Sequence, residues 1–150
     1  MLFRSKVTIE NGGCFEASVE IAEGCSLLVK NGGQLQTTMG GELCIKNYGT
    51  VDIEKGGLMR SQKGGAINNF STGTISINGD FYCGCVYFDG SSQVWFNNEG
   101  MLAGSGNIFV YGLSMDGKAD IDLEECRDEV VKKVGENTEI KVGINENYSF

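Results

Sequence analysis

Apolar-x-apolar doublets recur along this chain at a nearly constant spacing. One set is Val7/Ile9, Leu27/Val29, Val51/Ile53, Ile75/Ile77 and Val94/Phe96. We designate these strand B. A second set, strand C, lies eight residues further on: Phe15/Ala17, Leu35/Thr37, Met59/Ser61, Cys83/Cys85 and Leu102/Gly104. The third set, strand A, is Val19/Ile21, Leu43/Ile45, Ile67/Asn69, Val86/Phe88 and Ile108/Val110, the first four each preceding a B doublet by eight residues. Doublets of period two mark short strands with one buried face. Three strands per repeat, repeated by translation, is the pattern of a coil that stacks on itself.

The expected fold is therefore all-β: a right-handed parallel β-helix (β-solenoid) of about five coils of three short strands, closed by a C-terminal helix and strand cap. Like residues of successive coils would stack about 4.8 Å apart and fill a shared core. All length variation falls in the step from C to the next A. The other connectors carry bending residues, Asn11-Gly12-Gly13, Asn31-Gly32-Gly33 and Lys55-Gly56-Gly57 among them, because glycine admits positive φ at a corner. An antiparallel meander competes, since Asn-Gly between doublets is also a hairpin signal. Nothing in a meander requires three columns to keep their offsets. Asn69, the exception among the A and B doublets, either stays buried and bonded to neighbouring backbone or forces a slip that buries Phe70.

From about Asp120 the periodicity changes to that of one helix, with Ile121, Leu123, Cys126, Val130, Val131 and Val134 on one face. Asp120 or Asp122 would cap it, Glu124 and Glu125 suit its first turn, Lys132 and Lys133 its last, and Gly135 its end. Ile140, Val142 and Ile144 alternate as a short strand. The organisation expected is residues 1–5, whose Leu-Phe-Arg-Ser resembles translated sequencing-adapter DNA; residues 6–114, the solenoid; and residues 115–150, an acidic helix-strand cap. A longer native chain would then precede Lys6, and lie against the solenoid's N-terminal end.

Composition narrows the chemistry. The chain has no histidine, which removes the usual general base and every Ser-His or Cys-His nucleophile. Its net charge of -8, with ten acidic and five basic residues in positions 114–150, opposes nucleic-acid binding, which demands clustered Lys and Arg. No apolar run reaches the eighteen residues of a membrane span, so no membrane insertion is expected. The six cysteines form no zinc-type CxxC pair, and Cys83 and Cys85 are read as small core fillers before ligands. No catalytic, cofactor or metal residues are assigned. Glu10 and Glu54 share a repeat position, but two coils (roughly 10 Å) separate them and Lys30 lies between.

The stretches Asn47-Tyr48-Gly49-Thr50-Val51-Asp52-Ile53 and Ser71-Thr72-Gly73-Thr74-Ile75-Ser76-Ile77 resemble the N-x-G-T-[VI]-x-I repeats of bacterial adhesin-like and autotransporter-passenger β-helices. The resemblance covers roughly residues 7–112. It implies a stiff extracellular or cell-surface rod whose partner is a glycan or a host or cell-surface protein. Tyr48, Tyr82, Tyr87, Trp95 and Phe109 fall in outward phases or corners, and Tyr87, Trp95 and Phe109 are the candidate ligand-contact strip. Two other classes compete: a polysaccharide-active β-helix or phage tail-fibre fragment, and a cytoplasmic, bactofilin-like scaffold that polymerises end to end, for which free cysteines would argue.

Overall fold

A computed structural model describes residues 2–36, 44–60, 66–88, 91–114, 121–136 and 138–145. The first coil consists of β1 (Leu2–Phe3), β2 (Lys6–Ile9) and β3 (Cys14–Glu16), and the second of β4 (Val19–Ile21), β5 (Ser26–Val29) and β6 (Gln34–Gln36). The third holds β7 (Cys44–Asn47), β8 (Thr50–Ile53) and β9 (Leu58–Arg60); the fourth holds β10 (Ala66–Asn69), β11 (Thr74–Ile77) and β12 (Asp80–Phe88). After β13 (Ser91–Val94) come β14 (Phe96–Asn98), β15 (Met101–Ala103) and β16 (Asn107–Ser114), then helix α1 (Leu123–Val134) and β17 (Lys141–Ile144).

Like strands stack into three parallel sheets, A (β1-β4-β7-β10-β14), B (β2-β5-β8-β11-β15) and C (β3-β6-β9-β12-β16-β17). The chain is thus a parallel β-solenoid that makes four turns between β1 and β14 and ends on a single helix. The one antiparallel pair among the described residues joins β12 to β13, so the meander is excluded. Residues 1–5, expected to be adapter-like, include a rung: Leu2 pairs with Glu20 and Phe3 with Ile21.

The core is built from self-matching columns. Ile9, Val29, Ile53 and Ile77 stand in register through sheet B, and the last three are fully buried. Each such side chain contributes roughly 1.5–3 kcal/mol of burial. In sheet C the column is Phe15, Leu35, Met59, Phe81 and Ile108. Phe81 meets Phe96 of sheet A edge-to-face across the interior, with ring centroids 5.2 Å apart.

The corner between B and C shows why glycine recurs there. Gly12, Gly32 and Gly56 all have φ of 81–85°, which side-chain-bearing residues rarely adopt. They hydrogen-bond up the stack, Gly12 N to Gly32 O and Gly32 N to Gly56 O, both at 3.0 Å.

Several expected registers are corrected. Val19 stands opposite Ile45 and Ile21 opposite Asn47, so the A doublet of the third coil begins at Ile45; Leu43 lies outside the described residues. The constant eight-residue offset also fails, because Asn78-Gly79 turns a corner in two residues where Glu54-Lys55-Gly56-Gly57 takes four. Phe81, not Cys83, therefore follows Met59.

Beyond that point β12 overruns the corner and folds back as a hairpin, Cys85 opposite Val94 and Phe88 opposite Ser91. Val86/Phe88 is consequently not an A doublet. Phe96 takes the A position on Ile67, Leu102 the B position on Ile75, and Ile108 and Val110 belong to C. Asn69 resolves in favour of burial, at 1% exposure.

The ending follows its capping signals, but Val131, expected on the apolar face with Cys126 and Val130, is exposed. Asp122 caps α1, its carboxylate accepting from Glu125 N at 3.1 Å. Gly135 terminates the helix at φ 83°. The helix packs against β13, β14, β16 and β17, and β17 extends sheet C, Val142 opposite Ile108.

Candidate functional site

Strand alternation turns Leu35, Met59 and Phe81 inward, so the intervening residues of sheet C line its outer face. In register up that face stand Glu16, Gln36, Arg60, Tyr82 and Phe109. Gln36 Nε2 donates to Glu16 Oε2 at 2.7 Å, and Arg60 Nε donates to Gln36 Oε1 at 2.7 Å. Tyr82 and Phe109 continue the column as a stacked pair, centroids 5.2 Å apart and planes inclined by 30°. The column reads acid, amide, guanidinium, aromatic, aromatic over four rung steps, or about 19 Å.

Its polar half is held in place. Gln36 is only 5% exposed, and its amide donates on one side and accepts on the other, which orders both charged neighbours. Beside the column, Asn107 Nδ2 donates to Asp80 Oδ1 at 3.1 Å. A depression of about 250 Å³ lies against Asp80 and Tyr82, its floor formed by corner glycines including Gly33 and Gly57. The result is a ridge of hydrogen-bonding and aromatic groups next to a shallow trough.

Of the three expected contact residues, Phe109 and Trp95 stand at separate places in the fold, and the side chain of Tyr87 lies outside the described residues. Phe109 stacks on Tyr82. Tyr87 pairs through its backbone with Ser92 and Ser114, five residues along β16 from Phe109, roughly 16 Å. Trp95 is half-buried where the hairpin rejoins sheet A, its N–H donating to Gly84 O and its carbonyl accepting from Ile67 N, both at 3.0 Å. Glu16, Gln36 and Arg60 were not among the sequence candidates, although each directly follows a residue of the inward column, Phe15, Leu35 and Met59; alternation alone would have found them.

Glu10 and Glu54 do not converge. Lys30 of the intervening coil pairs with Glu10 at 3.3 Å, with side chains 42% and 67% exposed. Among the described residues no group of three or more Cys, Asp or Glu could hold a metal ion. No helix among them is long and apolar enough to cross a membrane.

Cys83 and Cys85 are both buried in the core, as expected, but Cys85 is also cross-linked. Cys85 is disulfide-bonded to Cys126, with Cα atoms 6.1 Å apart, tying β12 to α1 across 41 residues of sequence. Cys83 is a buried free thiol; Cys14 and Cys25 are also free. Burial pushes the Cys83 thiol up to about 12, against a smaller opposing pull from the Lys133 charge.

Compared with known proteins, the chain matches no family model, no curated protein and no solved structure.

Proposed function

We propose that this chain is a non-catalytic structural and adhesive β-solenoid segment of a bacterial cell-surface protein, and that the outer face of sheet C is its glycan-contacting surface. The observation that carries the reading is the Glu16-Gln36-Arg60 relay running into the Tyr82/Phe109 stack. Carbohydrates offer alternating hydroxyl groups and apolar C–H faces. A column of fixed donors and acceptors beside aromatic rings complements both.

Two further features support the reading. The N-x-G-T repeats carry the resemblance to adhesin-like β-helices. The Cys85 to Cys126 disulfide suits an oxidising, extracellular setting better than the cytoplasm of a bactofilin-like scaffold.

Glycan-array binding by the purified chain tests this. Tyr82→Ala, Phe109→Ala and Arg60→Ala should each weaken the retained glycans by about ten-fold, the loss of one good contact. Trp95→Ala, at the opposite corner, should not. An array on which wild type retains nothing, or on which all four variants match wild type, would sink the proposal.

A further inference from the structure

Sheet B ends on β15. In a parallel ladder, alternate residues bond to alternate neighbours. Met101 N donates down to Gly73 O at 2.9 Å, so Leu102 directs its N–H and C=O to the opposite side. Among the described residues no strand pairs there. Sheet C is extended past this level by β17, and α1 reaches the end of sheet A, where Asn98 Nδ2 donates to Lys133 O at 3.2 Å. Among the described residues, then, β15 is the last strand of sheet B at this level.

That strand lines a groove of about 740 Å³, within the range of sites that enclose a ligand. One wall is β15 and its turn; the other is formed by Val134, Gly135, Glu136, Thr138 and Glu139 at and after the end of α1. Met101, one of two exposed large apolar side chains among the described residues, is 67% exposed and lies at the rim. Thr138 also lines the groove, and its Oγ1 is buried without a hydrogen-bond partner. A buried hydroxyl left unpaired is destabilising, and an incoming polar group would relieve that. Among the described residues, the charged ones lining the groove are Glu136 and Glu139, both acidic.

We infer that this groove takes an extended, basic segment of a partner protein, which adds to sheet B as a strand. Leu102 would supply the main-chain pairing, Met101 and Val134 the contact for one apolar side chain, and Glu136 and Glu139 the selection for flanking Lys or Arg. Charge distinguishes this occupant from the alternatives. The chain's own ending, Glu146-Asn147-Tyr148-Ser149-Phe150, carries a carboxylate and no cation, and a second copy brings a net charge of -8.

The test uses the full chain and a synthetic peptide of alternating Lys and Val, with an alternating Glu and Val peptide and an N-methylated Lys/Val peptide as controls. Fluorescence anisotropy should show saturable binding of the basic peptide only. Hydrogen exchange at the Leu102 amide should slow at least about ten-fold on its addition. Reversing both charges, Glu136→Lys with Glu139→Lys, should weaken binding about ten-fold or more. Absent binding, unchanged Leu102 exchange in the bound state, or equal affinity in the charge-reversed variant would each overturn the inference. So would a Leu102 amide already protected without peptide: independence of protein concentration would assign the groove to the chain's own ending, and dependence on it to a second copy.

Discussion

Asn69 Nδ2 lies 2.8 Å from Asn98 Oδ1, one coil above it, while Asn69 Oδ1 accepts from Asn47 Nδ2 at 2.9 Å, one coil below. The three amides form a ladder inside the solenoid. Its surplus hydrogens go to backbone carbonyls, Asn47 Nδ2 to Thr74 O and Asn69 Nδ2 to Met101 O, each at 3.1 Å. Asn47 Oδ1 accepts from Gly49 N at 3.1 Å, which holds the tight A to B corner. At the top, Asn98 passes the ladder to Lys133 O of α1, whose Nζ reaches Phe96 O at 2.6 Å.

Breaking the ladder at its middle should be costly. Asn69→Ala leaves Asn98 Oδ1 and Met101 O without their bonds and opens a small void, and unsatisfied buried groups cost about 1–3 kcal/mol each. We expect a loss of roughly 2–4 kcal/mol, read as a lower urea midpoint at unchanged slope. A variant within about 0.5 kcal/mol of wild type would show that water replaces the amide freely.

The disulfide should matter as much. Cys126→Ala removes a cross-link closing a loop of about forty residues, for which roughly 2–4 kcal/mol is usual. Mass spectrometry of the non-reduced protein should find the Cys85 and Cys126 peptides joined. A Cys85 peptide that reacts fully with an alkylating agent in unfolded, non-reduced protein would contradict the pairing.

Deleting residues 118–150 removes α1 and β17 together and exposes the tops of β14 and β16 with the core beneath them. Open strand edges above apolar surface template association. The truncated chain should elute as aggregates in size-exclusion chromatography. A monodisperse truncation melting with the parent would refute capping.

Alkaline stability should report on Cys83. Its folded thiol titrates near 12, above the ordinary 9.0, because burial disfavours the thiolate. The folded state therefore keeps the proton longer than the unfolded state. Its contribution is whole below pH 9 and is lost as pH rises from there toward 12. Cys83→Ala should fall less steeply in melting temperature over that interval than wild type; parallel curves would place the thiol in a wetter setting.

The doublets up to Ile77 were enough to specify a parallel solenoid, because each inward column must match itself and each outward one must stay polar. Asp122, the first-turn acids and Gly135 likewise announced α1, since capping is a local matter. Tertiary structure decided the register at Ile45, which stands opposite Val19, and everything above Ile77. Asn78-Gly79 and a four-residue glycine corner both turn the chain, and apolar residues on a hairpin such as β12 and β13 alternate just as those on a coil do. Only three-dimensional pairing tells them apart, so Phe109 was placed one strand set away from the sheet where it meets Tyr82. The Cys85 to Cys126 bond lay beyond reach for the same reason: spacing along a chain does not measure distance through a core.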